Sequence, residues 1–327
     1  MRRREFISAV GAAAAAWPLA ARAQQVAMPV IGVLTSRGSD DSPQLMAAVR
    51  QGLKDTGFVE GQNIAIEYRF AGNQNERLPA LAADLVRRQV AVIVALTTPA
   101  ALAAKAATAT IPVAFELGAD PVRLGLVASL NRPGGNVTGV TQLNQGVAPK
   151  RLELLHELLP TAKVMARLVN PDNLVSAENQ SNDLLPAAQK LGVEVRILKA
   201  SNERDFDSVF ANLSQLRAGG LVIDSDSFFT ARQEQLAAMT VRHAVPAVYE
   251  TREFVAAGGL MSYGGSIPDA YRLTGVCAAR ILKGEKPSEL PVQQVTKVEL
   301  FLNLKTARAL GITVPLPLSG RADEVIE

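Results

Sequence analysis

Residues 91–107 read Ala-Val-Ile-Val-Ala-Leu-Thr-Thr-Pro-Ala-Ala-Leu-Ala-Ala-Lys-Ala-Ala. Ala91–Leu96 is an unbroken apolar run, the pattern of a strand covered on both faces. Two hydroxyls follow, and Pro99 then takes a first-turn position of an Ala-rich helix that runs to Ala107. Strand, polar turn and helix make the repeating unit of a parallel α/β sheet. A second copy stands further along: Gly220–Ile223, then Asp224-Ser225-Asp226-Ser227, then a helix over 229–242.

The same alternation extends in both directions. Strands are predicted to start near 30, 63, 91, 112 and 137, and again near 164, 193, 220, 246 and 260. The two series are offset by about 130 residues with little identity, a structural repeat. Helices are predicted over Ser42–Thr56, Glu76–Arg88, Val122–Leu130, Ala148–Leu159, 176–190, 203–217 and Pro268–Lys283. Val292–Asn303 reads as strand-like and Thr306–Leu310 as a short helix. The expected fold class is therefore α/β, with two similar Rossmann-like lobes joined by a hinge that the chain crosses three times. Residues 24–142 with about 264–290 would form the first lobe, and 143–263 with about 291–327 the second.

Composition narrows the function. The 327 residues carry 34 Lys and Arg against 31 Asp and Glu. The excess sits within residues 1–23, where Arg2, Arg3, Arg4 and Arg22 face only Glu5; the remainder is balanced and offers no electrostatic footprint for nucleic acid. A single cysteine, Cys277, excludes an internal disulfide and is expected as a buried thiol. Two histidines, His156 and His243, leave too few ligands for a multi-His metal centre. No metal and no cofactor are expected.

The amino terminus reads as an export leader. Met1–Phe6 is basic, Ile7–Ala16 is apolar, Trp17-Pro18 breaks the run, and Ala21-Arg22-Ala23 fits a cleavage site after Ala23. Arg3-Arg4-Glu5-Phe6-Ile7 matches the twin-arginine pattern; the general secretory route and a plain amphipathic helix are the alternatives. No later stretch is predicted to span a membrane: Ala91–Ala104 comes closest, and Thr97-Thr98-Pro99 interrupts it. An exported, periplasmic protein is expected.

In open α/β sheets ligands bind beyond the carboxyl ends of the strands. The first-lobe candidates are Ser36, Thr97, Thr98, Glu116 and Thr138. Those of the second lobe are Asn170, Asp224-Ser225-Asp226-Ser227, Phe228, Tyr249-Glu250 and Tyr263. Thr97 and Thr98 with the free N–H groups of a helix start suit a carboxylate, although Thr98 could simply cap its helix. Asp224 or Asp226 suits an ammonium group, with capping by Ser227 as the alternative reading. Tyr249, Tyr263 and Phe228 could wall a pocket or pack in the core. Arg132-Pro133-Gly134-Gly135 precedes a strand instead of opening a helix, so it is no phosphate loop. No G-x-S-x-G and no G-x-x-x-x-G-K-[ST] occurs.

Several stretches resemble a known family. They are the leader, Arg77-Leu78-Pro79-Ala80-Leu81-Ala82-Ala83-Asp84-Leu85-Val86, Asp120-Pro121-Val122 with Gly125-Leu126-Val127, Arg132-Pro133-Gly134-Gly135-Asn136-Val137-Thr138-Gly139, and Ala257-Gly258-Gly259-Leu260-Met261-Ser262-Tyr263-Gly264. Together they resemble the ABC-transporter substrate-binding proteins, the family that includes the tryptophan/tyrosine-binding lipoproteins. The resemblance implies a type I periplasmic binding protein fold, capture of a small solute such as an amino acid, and delivery to an inner-membrane ABC permease. This chain departs from those lipoproteins in lacking a lipidation cysteine near the leader. It is expected to act as a monomer and not as an enzyme. A periplasmic sensor or adaptor for a receptor is the alternative, and an exported hydrolase a third reading.

Overall fold

The computed structural model describes residues 28–40, 43–142, 144, 146–173, 184–295 and 297–327. The leader, its cleavage point and the start of the helix expected at 176–190 lie outside these residues. Two sheets form, each covered on both faces by helices and apolar side chains.

The first sheet contains β1 (Val30–Thr35), β2 (Ala65–Phe70), β3 (Val92–Leu96), β4 (Val113–Leu117), β5 (Val137–Thr141) and β11 (Gln293–Gln294). Its order is β2-β1-β3-β4-β5-β11, all parallel. The second contains β6 (Val164–Val169), β7 (Glu194–Lys199), β8 (Gly220–Ile223), β9 (Ala247–Tyr249), β10 (Met261–Gly265), β12 (Val298–Asn303) and β13 (Glu324–Ile326). Its order is β7-β6-β8-β9-β10-β12-β13; β7 through β10 are parallel and β12 runs antiparallel to β10. Taken in chain order, the first five strands of each half occupy the same positions, 2-1-3-4-5, so the repeat read from hydrophobic periodicity is a repeat of topology. The two parallel-rich α/β lobes are those of the type I binding-protein fold.

The helices of the first half are α1 (Pro43–Asp55), α2 (Leu78–Arg87) and α3 (Thr98–Ala107). Those of the second half are α4 (Ala148–Leu158), α5 (described over 184–191), α6 (Asp205–Leu216), α7 (Ser227–Ala231), α8 (Gln233–Arg242) and α9 (Arg252–Ala256). Next, α10 (Ile267–Leu282) packs on α1 and the first sheet, and α11 (Leu304–Ala309) and α12 (Leu316–Ser319) finish the second half. The chain thus passes between the sheets after β5, after β10 and after β11.

Two expected helices differ. Over Val122–Leu130 only one turn forms: Leu124 N–H bonds Asp120 O, and then Leu126 and Val127 both reach back to Pro121 O, so the ladder stops, with Gly125 at φ 65°. The helix expected over 229–242 is split at Arg232 (φ −117°) into α7 and α8, and the cap of α7 is Asp226, whose carboxylate accepts from Phe228 N–H.

α1 and α10 cross at glycines. An added Cβ at Gly52 would lie 1.9 Å from Arg272 O, and one at Gly275 would lie 2.2 Å from Val49 O. This close approach holds α10 against the first sheet, and so fixes Ile267 and Tyr271 at its cleft end. Cys277 is buried in this helix, and burial pushes its thiol up to about 12.

Candidate ligand-binding cleft

The carboxyl ends of both sheets face one cleft, which encloses about 460 Å³ of empty space, its open mouth included. The first lobe contributes Arg37 after β1, Thr97 and Thr98 after β3, Glu116 on β4 and Gln142 after β5. The second lobe contributes Ser225, Asp226 and Ser227 after β8, Glu250 after β9, and Asn173. The lobes meet at the cleft: Ser36 Oγ lies 3.0 Å from Ser227 Oγ and donates to Thr97 Oγ1 at 3.0 Å.

Thr97 stands at φ 107°, ψ 152°, a region that side chains with a Cβ avoid. Its N–H bonds Glu116 O and its carbonyl accepts from Ala101, so both neighbours impose this conformation. Strain of this kind costs about 1–3 kcal/mol. Thr97→Gly is therefore expected to be more stable than Thr97→Ala by about 1 kcal/mol in urea unfolding, reversing the usual order. Equal stabilities, or Ala ahead, would remove the case for strain.

Arg37 is 4% exposed, and its Nε has no hydrogen-bond partner. Glu116 and Glu250 flank it electrostatically, and buried Tyr271 lies beside it. Glu116, also 4% exposed, accepts from Gln142 Nε2; Gln142 Oε1 accepts from Asn144 Nδ2, and Asn144 Oδ1 accepts from Gly265 N–H at 2.7 Å. One chain of amides thus links the cleft carboxylate to the crossing after β10. Glu250 accepts from Thr230 at 2.7 Å and from Ser225. Asp226 accepts from Asn170, Asn173 and Phe228 N–H at 2.9–3.0 Å.

Desolvation pushes Glu116 up to about 7, above the 4.5 of a free Glu, against the opposing pull of Gln142 and Arg37. An acid whose folded value is raised costs stability as pH rises through the interval between its unfolded and folded values. The stability of the wild type relative to Glu116→Gln should therefore fall from about pH 4.5 to about pH 7 and then level off. Paired denaturant melts across that range check this; a difference that rises or stays flat would contradict it.

The sequence candidates divide into groups. Thr97, Thr98, Glu116 and Asp226 come together in the wall, with Ser36 at the contact between lobes. Asn170 and Phe228 line an adjoining groove with Asn73 and Glu76. Asp224 lies behind the wall, paired with Arg167 at 2.8 Å. Thr138 is fully buried and ties β5 to Leu290 O. Tyr249 is fully buried, bonded to Thr240 and stacked on Phe254, and burial raises its hydroxyl. Tyr263 packs in the second lobe while its carbonyl accepts from Arg151. Arg37, Gln142, Asn144 and Asn173 were absent from the sequence candidates. Arg37 could have been found, since a cation two residues past a strand end is an anion-site signal; the amides carry no such mark.

Two α/β lobes closing over a charged cleft define a two-lobed solute-binding protein. The chain belongs to the ABC transporter substrate binding protein family, whose model matches residues 31–326. A tyrosine-binding protein of Clostridioides difficile (strain R20291) is 28% identical over 260 residues, covering 80% of this chain and 74% of that one. The crystal structure of an ABC domain from Streptococcus pneumonia in complex with L-Trp is similar at a TM-score of 0.82 and 25% identity, over 91% of this chain and 99% of that one. A conserved domain protein from Vibrio cholerae gives 0.84 and 26% over the same shares. Among the described residues no helix is long and apolar enough to cross a membrane.

Proposed function

We propose that this protein is exported to the periplasm, captures a small solute of the α-amino acid type between its lobes, and delivers it to the permease of an ABC importer. The observation that carries the reading is the opposition of charges within one cleft. Arg37 and the N-terminal turn of α3 face a carboxylate; Glu116, Glu250 and Asp226 face an ammonium group. Both ends of a zwitterion can be held there by charge-assisted bonds without water, and no bond need be made or broken. The family supports transport, the leader supports export, and the relatives described as binding tyrosine and L-Trp support the amino-acid class. Closure across Ser36 and Ser227 would trap the solute, and opening about the three crossings would release it.

The test is a thermal-shift and native mass-spectrometry screen against the amino acids and small carboxylates. A ligand present at a hundredfold its Kd should stabilise the protein by about 2.7 kcal/mol, so the melting temperature should climb with dose. Arg37→Met should abolish the response to any carboxylate ligand. A screen in which no solute binds, or in which the solute is returned chemically altered, would overturn the reading.

A further inference from the structure

The walls of the cleft say more about the ligand than that it is a zwitterion. Among the described lining residues no side chain is aromatic, and Pro99, Leu117 and Ile267 supply the apolar contacts. Phe228 lines the adjoining groove, and the other aromatic residues near the cleft are buried in the lobes. Phe115 and Tyr271 are fully buried in the first lobe. Phe228 stacks on Phe206 and lies tilted against Phe229, and Tyr249 stacks on Phe254. The sequence holds no Phe, Tyr or Trp between Phe115 and Phe206, so the cleft residues Gln142 and Asn173 have no aromatic neighbours in sequence.

The charges do not balance. Glu116, Glu250 and Asp226 line the cleft against Arg37. Directly behind them Asp224 pairs with Arg167, and Arg151 faces both Glu250 and Asp224. Among the described residues four carboxylates thus meet three guanidinium groups in one buried cluster. A buried charge without a partner is costly, so the empty cleft holds a proton on Glu116, and a cationic group of a ligand can take the place of that proton. Building on the reading proposed above, we infer that the cleft selects a compact, non-aromatic solute of net positive charge: an amine or guanidinium compound carrying at most one carboxylate. Its carboxylate, where present, would meet Arg37 and Thr98, and its cationic groups would meet Glu116 and Glu250.

The raised value of Glu116 agrees with this placement. Burial is the main cause of the rise, with a smaller push from Glu250; the other titratable and charged groups that face it are Arg37 and Tyr271, and Gln142 is bonded to it. An arriving cation would supply positive charge and expel the proton.

Isothermal titration of the purified protein at about pH 6.5, in two buffers of different ionisation enthalpy, tests the inference. The probes are L-arginine, L-lysine and putrescine, set against L-tyrosine, L-tryptophan and L-glutamate. At least one cationic probe should bind saturably, tenfold or more tighter than either aromatic amino acid, with release of a proton. Glu116→Gln, checked for folding by circular dichroism, should weaken that binding at least tenfold and abolish the proton release. The comparison of probes on the wild type stands even if the variant does not fold. Aromatic amino acids binding as tightly as the cations, or no cationic probe binding, would overturn the inference. Binding of tyrosine, tryptophan or glutamate alone would leave the amino-acid reading intact, whereas silence across this panel and the wider screen would remove both.

Discussion

Asp224→Asn should destabilise the protein by about 3–5 kcal/mol, the cost of leaving one member of a buried ion pair without its partner. Asp224 and Arg167 are 3% and 1% exposed, and Nε donates to Oδ1 at 2.8 Å. Asn keeps the shape of the side chain and removes the charge, so the buried Arg167 guanidinium loses the Asp224 carboxylate. The double variant Arg167→Met with Asp224→Leu should recover most of the loss, because apolar residues of similar volume remove both desolvation costs together. Urea unfolding of the wild type, Arg167→Met, Asp224→Leu and the double variant checks this by a thermodynamic cycle, with Asp224→Asn measured beside it. If Asp224→Asn costs under about 1 kcal/mol and abolishes ligand binding instead, Asp224 belongs to the ligand and not to the lobe.

The second large effect concerns the crossing of α1 and α10. In the middle of a helix, Gly→Ala ordinarily stabilises by about 0.5–1 kcal/mol. At Gly52 the sign should reverse, since a Cβ would sit 1.9 Å from Arg272 O, a backbone atom that cannot turn away. Gly52→Val should cost about 3 kcal/mol, at the upper end of overpacking. Because α10 carries Ile267 into the cleft and Tyr271 to Arg37, displacement of the helix should weaken ligand binding as well. Denaturant melts of Gly52→Ala and Gly52→Val are the check; an unchanged midpoint for the alanine variant would show that the helices part without cost.

Much of this molecule could be read before any coordinates. The strand starts near 30, 91, 137, 164 and 220 fall within a residue of β1, β3, β5, β6 and β8, because fully covered parallel strands leave long apolar runs. Thr97 and Thr98 were recognisable because a strand end, two hydroxyls and a helix-starting proline stand in a row. Arg167 carries a signal legible in the sequence: a charge within the apolar strand Val164–Val169 requires a buried partner. The aromatic residues were harder. Tyr249 and Phe228 stand next to strand ends in sequence, as pocket-wall residues do, and periodicity does not tell which side of the strand end a side chain takes.

Local pattern alone settled most of the strand and helix alternation and its doubling, because both depend on which residues neighbour one another along the chain, and the quoted motifs carried the resemblance to the family. Only the packed structure decided that Asp224 faces Arg167 while Asp226 faces the cleft, that the aromatic rings turn inward, and that Arg37, Glu116 and Glu250 meet across the lobes. Those choices depend on distances between segments as many as 213 residues apart in sequence, set by how the two sheets twist and close, and no short stretch of sequence carries them.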